Sequence, residues 1–487
     1  MANLLIWIIL LVIWNSILFF EKKLGLSVTL FIIPLIILIY YSLKINNKIK
    51  DKKGLLFIIP IILLSLTYLI FDNYFFRVTN TLAIPILLTL LYIYTIKPTF
   101  NIKNIIESII KIVIEPLSHI GNVYHLITEQ IKKKIKVSNK IKRVTKSIII
   151  IIPIVLIVLF LLSSADQIFG NIFNKLFNLT SKISLSNTIK RLIPMIILFF
   201  YLSATINYLL YNYSKTENNE KEINVNIDSL TVKILLTTLN IIYIIFDIIQ
   251  IKSLILHQVS MNISYAEYAR EGFFQLMIVS FINLIIILVS KSIEKKQDKK
   301  SKKYIKIMNL IMVFLTFIII ISSFIRMHMY ETEFGYTLLR LLVYFSLITE
   351  IILLIPTIIY IINSKFNIVK YYIIILITMY ITINFINIDY IIAYRNIKRY
   401  YETNDIDIYY LMNNHTDDIP LLIDLYNKTD DENIKEDLKE YLNSIETKTN
   451  GFQEFNISKK IANKIINSEK IQVYEVNKNK FKKYSKN

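Results

Sequence analysis

Long apolar runs separated by short polar segments dominate the chain up to about residue 390. Most runs are close to the about 20 residues that an α-helix needs to cross roughly 30 Å of hydrocarbon. The pattern therefore predicts an all-α fold, a polytopic membrane helix bundle with about eleven transmembrane helices. The predicted spans are 4–20, 25–43, 55–72, 79–96, 147–165, 192–212, 232–251, 272–290, 305–325, 337–362 and 371–388.

A basic connector interrupts the predicted spans between residues 97 and 146. Apolar residues at helical spacing in its first part, such as Ile105, Ile109 and Ile112, are followed by a lysine-rich run over 132–146. An amphipathic helix lying on anionic lipid is the simplest interpretation. A binding site for a regulatory partner protein is the alternative.

The pattern changes again after residue 389, where acidic and basic residues mix with short amphipathic pieces. This predicts a small helical domain over 390–446, followed by a loosely ordered tail rich in Lys and Asn over 447–487. The chain then divides into five segments. These are transmembrane helices 1 to 4 (1–96), the connector (97–146), a core of transmembrane helices 5 to 11 (147–389), the small domain (390–446) and the tail (447–487).

Composition agrees with a membrane protein and excludes several classes of site. With 487 residues, 54% hydrophobic residues and a mean hydropathy of +0.51, the chain is too apolar for an ordinary soluble protein. The net charge of +20 would suit nucleic acid. The lysines, however, lie between apolar spans, where the preference of basic loops for the cytoplasm explains them. We therefore expect no nucleic-acid partner, a cytoplasmic amino terminus and, after an odd number of spans, an extracytoplasmic carboxyl terminus.

The stretch from Ser264 to Leu276 places several charges at the beginning of the eighth predicted span. Ser264 and Glu267 have the spacing of a capping box, and Arg270 lies within one helical turn of Glu267. Glu267 and Glu271 are one helical turn apart and lie on the same face. A capping box with a structural ion pair is one interpretation. A polar site is the other, because carboxylates are costly at membrane depth.

Further polar residues reach the same predicted outer side from distant parts of the chain. Asp247 and Gln250 continue a polar helical face in the seventh span, Asp166 closes the fifth, and Arg326 leaves the ninth. Polar groups inside a bundle usually pair and face its interior. We therefore predict one outer-facing polar cavity, although helix caps and interface anchors are the alternative. Its predicted lining is Asp166, Asp247, Gln250, Glu267, Arg270, Glu271, Arg326 and Arg340.

Glu350 lies near the middle of the tenth predicted span. An unpaired ionised carboxylate at that depth is costly, so Glu350 is either protonated or faces a polar interior. It is our candidate for proton or cation coupling. The histidines show no fixed metal-binding spacing, and the chain has no cysteine, so we predict no metal site and no cofactor.

Several of these segments resemble a known family. They are 163–169, 265–276, 326–330 with 335–337, and, near the carboxyl end, 396–399 with Asp407, Tyr410 and Leu411. Over about 145–425 the chain is similar to bacterial multi-pass membrane proteins catalogued as domain of unknown function 4173, related to the 4153 group. The resemblance implies a multi-pass protein of the bacterial cytoplasmic membrane, and it carries no established activity, substrate or cofactor.

Three hypotheses of function follow. The first is a transporter-like or ligand-sensing protein that uses the outer polar cavity. The second is a membrane enzyme acting on a lipid-linked or envelope substrate at the outer leaflet, with Glu267 or Glu271 as general base and arginines binding phosphate. The third is a signalling or assembly partner that works through the connector at 97–146.

Overall fold

A computed structural model describes the larger part of the chain. The described residues are 2–96, 115–116, 187–208, 229–255, 273–294, 298–412, 416–445, 449 and 451–468. They form α-helices and two short 3-10 helices, and this part of the chain contains no strand. The α-helices are α1 (Ala2–Phe19), α2 (Leu26–Ile45), α3 (Ile58–Ile70), α4 (Tyr74–Ile96), α5 (Asn187–Asn207), α6 (Ser229–Ile255), α7 (Phe273–Glu294), α8 (Lys299–Phe334), α9 (Leu338–Ile362), α10 (Ile368–Phe385), α11 (Ile388–Thr403), α12 (Ile408–Met412), α13 (Ile419–Lys428), α14 (Glu432–Ser444) and α15 (Ile457–Ser468).

Eight helices in the described ranges are long and apolar enough to cross a membrane. They correspond to α2, α3 with its preceding 3-10 turn, α4, and α6 to α10. The predicted spans 4–20 and 192–212 coincide with the shorter apolar helices Leu4–Phe19 and Arg191–Asn207, and 147–165 lies outside the described residues. An all-helical membrane protein is therefore supported, while the count of about eleven spans stays a prediction.

The chain forms two compact units. The first comprises 1–62, 84–219 and 450–454, in which α1 packs against α2 and α5. Gly54, in the 3-10 turn before α3, lies so close to α4 that a Cβ atom would come within 2.4 Å of the Thr95 backbone nitrogen. Lys50 and Asp51 donate their backbone N–H groups to the Thr95 carbonyl oxygen, so this turn needs glycine to reach α4.

The second unit comprises 63–83, 220–449 and 455–487. Its largest part is a bundle in which α8 packs against α6, α7 and α9, and α9 packs against α10. The Asp298 side chain caps the first turn of α8, and Gly335, with a φ of 76°, ends it. Buried aliphatic side chains such as Leu236, Ile287 and Leu347 form the bundle core.

The carboxyl-terminal helices belong to the same unit. α13 packs against α11, α14 and α15, with Leu422, Leu425 and Leu438 fully buried. Helices α11 to α14 occupy the predicted segment 390–446. Its status as a separate extracytoplasmic domain stays a prediction, as do the other predicted segment boundaries.

Candidate functional site

The candidate site begins with one polar face of α6. Along that face, polar side chains recur every three or four residues, which is the helical repeat. They are Lys233, Thr237, Asn240, Tyr243, Asp247 and Gln250. Apolar residues such as Ile241, Ile245 and Ile248 are at least half exposed on other faces of the helix. The polar groups therefore point into the bundle and the isoleucines are available to lipid.

The first half of this face contacts the beginning of α8. Lys233 Nζ donates to Ser301 Oγ at 2.6 Å, and the Thr237 and Tyr304 hydroxyl groups are 2.6 Å apart. Asn240 Nδ2 donates to the carbonyl oxygen of residue 308 at 3.0 Å. Residue numbers rise together along the two helices, so α6 and α8 run parallel.

The middle of the bundle joins three helices through side chains. The Tyr243 hydroxyl donates to Asn283 Oδ1 of α7 at 2.8 Å, and Asn283 Nδ2 donates to Thr316 Oγ1 of α8 at 3.0 Å. One turn earlier on α7, Ser280 Oγ is hydrogen-bonded to Glu350 Oε2 of α9.

Two turns beyond Asn283, towards the end of α7, Ser290 Oγ donates to Asn309 Oδ1 at 2.8 Å. We call the whole set the polar seam. Its members are Lys233, Thr237, Asn240, Tyr243, Ser280, Asn283, Ser290, Ser301, Tyr304, Asn309, Thr316 and Glu350.

Two of the predicted site residues meet at the far end of α6. Arg326 donates from Nη2 and Nε to Gln250 Oε1, at 2.8 and 3.3 Å. Both side chains are buried, with 6% of Arg326 and 4% of Gln250 exposed. Asp247, one turn before Gln250, is 2% exposed, and neither carboxylate oxygen has a hydrogen-bond partner among the described residues. Three buried polar or ionisable side chains, Asp247, Gln250 and Arg326, therefore lie where α6 and α8 approach each other.

The other predicted site residues lie elsewhere. Arg340 contacts the turn between α8 and α9: its guanidinium lies 4.3 Å from the centre of the Tyr330 ring and donates to the Phe334 carbonyl oxygen at 2.8 Å. These contacts are local and do not include Gln250 or Arg326. Asp166, Glu267, Arg270 and Glu271 lie outside the described residues.

A second polar cluster was missed by sequence reasoning. Asp72, in the turn between α3 and α4, donates its backbone N–H to Asp417 Oδ2 at 2.8 Å. Its own carboxylate receives Arg77 Nη2 at 3.0 Å and Lys459 Nζ at 3.4 Å. Next to it, Asn73 Nδ2 donates to both carboxylate oxygens of Asp389 at 2.9 Å.

We call Asp72, Asn73, Arg77, Asp389, Asp417 and Lys459 the carboxylate junction. Asp417 is buried, and this burial raises the pKa of its carboxyl group to about 7. The backbone N–H of Asp72 and a hydrogen bond with Ser458 oppose the rise, whereas the neighbouring Asp389 and Asp72 add to it. An adjoining cavity of about 10 Å³ has room for one water molecule. The consecutive polar pair at 72–73, between two apolar runs, is one sequence signal of this junction.

The described residues contain no cluster of side chains that could bind a metal ion. No three His, Asp or Glu side chains there come together as metal ligands. The carboxylates of the junction are instead engaged by Asn, Arg and Lys donors.

Comparison with known proteins assigns a family but no activity. No curated protein and no solved structure matches the chain. Residues 58–425 match the family model described as a domain of unknown function (DUF4153), which confirms the predicted relation to the 4153 group but does not show the 4173 label. Because this match covers well over half of the chain, the protein belongs to the DUF4153 family.

Proposed function

We propose that this protein is a transporter-like or ligand-sensing membrane component whose polar site lies where α6 meets α8. Asp247, Gln250 and Arg326 form the described part of the site. The observation that carries the proposal is the buried contact between Arg326 and Gln250. Charged side chains inside membrane bundles are expensive and typically mark ligand or ion pathways.

Arg326 is also suited to bind a solute. A guanidinium presents donors in a fixed planar arrangement that matches carboxylate and phosphate groups. Asp247 adds a buried carboxyl group one turn from Gln250 on the same helix. A small solute that carries an anionic group is therefore the proposed ligand class, and we propose that Glu267, Arg270 and Glu271 complete the site.

The finer topology is part of the same proposal. We place the protein in the bacterial cytoplasmic membrane with about eleven spans, the amino terminus inside and the segment 390–446 outside. The basic loops support this orientation. The end of α6 at Gln250 then faces the outer side, and the connector at 97–146 lies on anionic lipid of the inner leaflet.

Cysteine accessibility tests the proposed cavity, because the chain contains no native cysteine. We expect Gln250→Cys to react with a membrane-impermeant maleimide added outside, at a rate that changes when a pH gradient or membrane potential is imposed. Ile248→Cys is the matched control, since Ile248 is on the same helix and 50% exposed on its lipid-accessible side. Its expected result is no labelling in intact membranes. A Gln250→Cys variant that is inert from both sides under every gradient would contradict the proposal.

A further inference from the structure

We propose that Glu350 holds a mobile proton in the bundle and that the polar seam is a proton pathway coupled to the solute site. The coupling rests on the proposed function, whereas the protonation of Glu350 rests on its hydrogen-bond geometry and its burial. In each transfer one O–H bond breaks and another forms: Glu350 releases its proton to a neighbouring hydroxyl group or water, which passes on one of its own protons, and the reverse exchange restores the acid.

The hydrogen-bond count at Ser280 is the main argument. Its hydroxyl group contacts Glu350 Oε2 and also lies 2.8 Å from the Met277 carbonyl oxygen. A serine hydroxyl carries one proton, and an ionised carboxylate and a carbonyl group are both acceptors only. With Glu350 ionised, two acceptors share one proton. With Glu350 protonated, its O–H donates to Ser280 and Ser280 donates to Met277, so each of the two contacts has its own proton.

The surroundings of Glu350 also favour the neutral form. The side chain is 6% exposed, and Leu347, Leu353 and Leu354 are buried on the same helix. Among the described residues, no Lys or Arg forms an ion pair with it. The buried charged groups on the helices that pack against α9 are Lys291 and Glu294 (paired with each other), Arg326 (on Gln250), Glu331 (on His328) and Asp389 (on Asn73), and the tyrosines there include Tyr330 and Tyr372.

The seam supplies hydroxyl groups that can relay the proton towards Lys233. Asn283 lies one turn from Ser280 on α7 and contacts the hydroxyl groups of Tyr243 and Thr316. Further along, paired hydroxyl groups of Thr237 and Tyr304 lead towards Lys233. Successive levels are separated by about one helical turn, or 5.4 Å, which a single water molecule can bridge.

Carbodiimide labelling tests the proton on Glu350 without any transport assay. Dicyclohexylcarbodiimide reacts with protonated carboxyl groups in apolar surroundings and is detected by peptide mass spectrometry. In the full-length protein in membranes, we expect label on Glu350 that declines as pH rises and disappears in Glu350→Gln. Exposed Glu333 serves as the internal control and should stay unlabelled. Absence of label on Glu350 at every pH overturns the inference.

Ser280→Ala tests the direction of the hydrogen bond while keeping the carboxyl group. If Glu350 donates to Ser280, loss of the hydroxyl disfavours the protonated form, and the pH midpoint of labelling moves down. If Ser280 instead donates to an ionised Glu350, the midpoint moves up, which overturns the inference. Glu350→Gln should remain folded because its amide N–H can replace the acid O–H as donor to Ser280.

Proton flux tests the coupling in proteoliposomes. The vesicles contain a pH-sensitive dye, and a potassium diffusion potential is imposed across their membrane. The pH of the lumen should change in vesicles that contain the wild type, and this proton flux should be absent with Glu350→Gln. Glu333→Gln is the control and should retain it. Flux that persists in Glu350→Gln overturns the pathway. Labelling of Glu350 without any wild-type flux overturns the transport function but leaves the protonated carboxyl group established.

Discussion

Among single residues, Asp417 is a carboxyl group whose ionisation differs strongly from its behaviour in water. It shares the carboxylate junction with Asp72 and Asp389, while Arg77 and Lys459 supply two positive charges. Burial raises the pKa of Asp417 to about 7 from the ordinary value of 3.8. The folded state therefore binds this proton more tightly than the unfolded state. The resulting stability is complete below the unfolded value and is lost as pH rises through about 7.

We predict that the wild-type free energy of unfolding falls as pH increases from about 4 to about 7, by at most about 1.4 kcal/mol per pH unit from this group. Asp417→Asn should flatten that dependence, because its amide oxygen can still accept the Asp72 N–H but no longer titrates. Thermal unfolding in detergent across this pH range measures the effect. Asp424→Asn, a change at an exposed carboxylate on α13, should leave the slope unchanged. Equal slopes in the wild type and Asp417→Asn would argue against this role.

At the scale of helices, the register of α6 against α8 depends on polar contacts as well as apolar packing. Lys233 and Thr237 define one end of the interface, and Gln250 with Arg326 defines the other. A buried acceptor that loses its donor costs roughly 1–3 kcal/mol, whereas replacement of both partners by apolar groups can be nearly neutral.

A double-mutant cycle tests this helix contact. Arg326→Leu should lower stability by roughly 1–3 kcal/mol because Gln250 loses its described donors. Adding Gln250→Leu should recover much of that loss, which gives a coupling energy distinguishable from zero. Unfolding by denaturing detergent provides the measurement. Strictly additive effects would mean that the two side chains do not stabilise the helix pair together.

At the scale of the whole second unit, the carboxylate junction ties together parts of the chain that are far apart in sequence. Asn73 contacts Asp389 across 316 positions, and Asp72 contacts Asp417 across 345. Asn456 adds hydrogen bonds from the segment before α15 to the carbonyl oxygens of Tyr68 and Phe71. The carboxyl-terminal helices are therefore attached to the turn between α3 and α4.

We predict that Asn73→Ala loosens this attachment. Asp389, in the first turn of α11, loses the two hydrogen bonds donated by Asn73, at a cost of roughly 1–3 kcal/mol, so α11 and α13, which packs against it, should be cleaved faster by trypsin in membranes. Asn467→Ala, at an exposed position of α15, is the control and should not change the cleavage rate. Unaltered protection in Asn73→Ala would show that apolar packing alone holds these helices.

Much of the helical architecture was predictable because it depends on local pattern. Apolar runs of membrane length predicted α2 to α4 and α6 to α10, and the helical spacing of Asp247 and Gln250 placed both side chains on one face. The sequence predicted that Gln250 and Arg326 line the same cavity, but it did not predict that they contact each other. That contact and its distances depend on how α6 and α8 pack, which no spacing within either helix specifies.

The class of protein and the composition of each helix face follow from the amino-acid sequence, because membrane insertion and helical periodicity act over short stretches of chain. The contacts of Glu350 with Ser280 and of Asp72 with Asp417 depend instead on how the helices pack. Those pairs join distant segments, and their geometry is set by the packing of whole helices. A buried polar group must find a partner somewhere, but which partner it finds is decided by the fold.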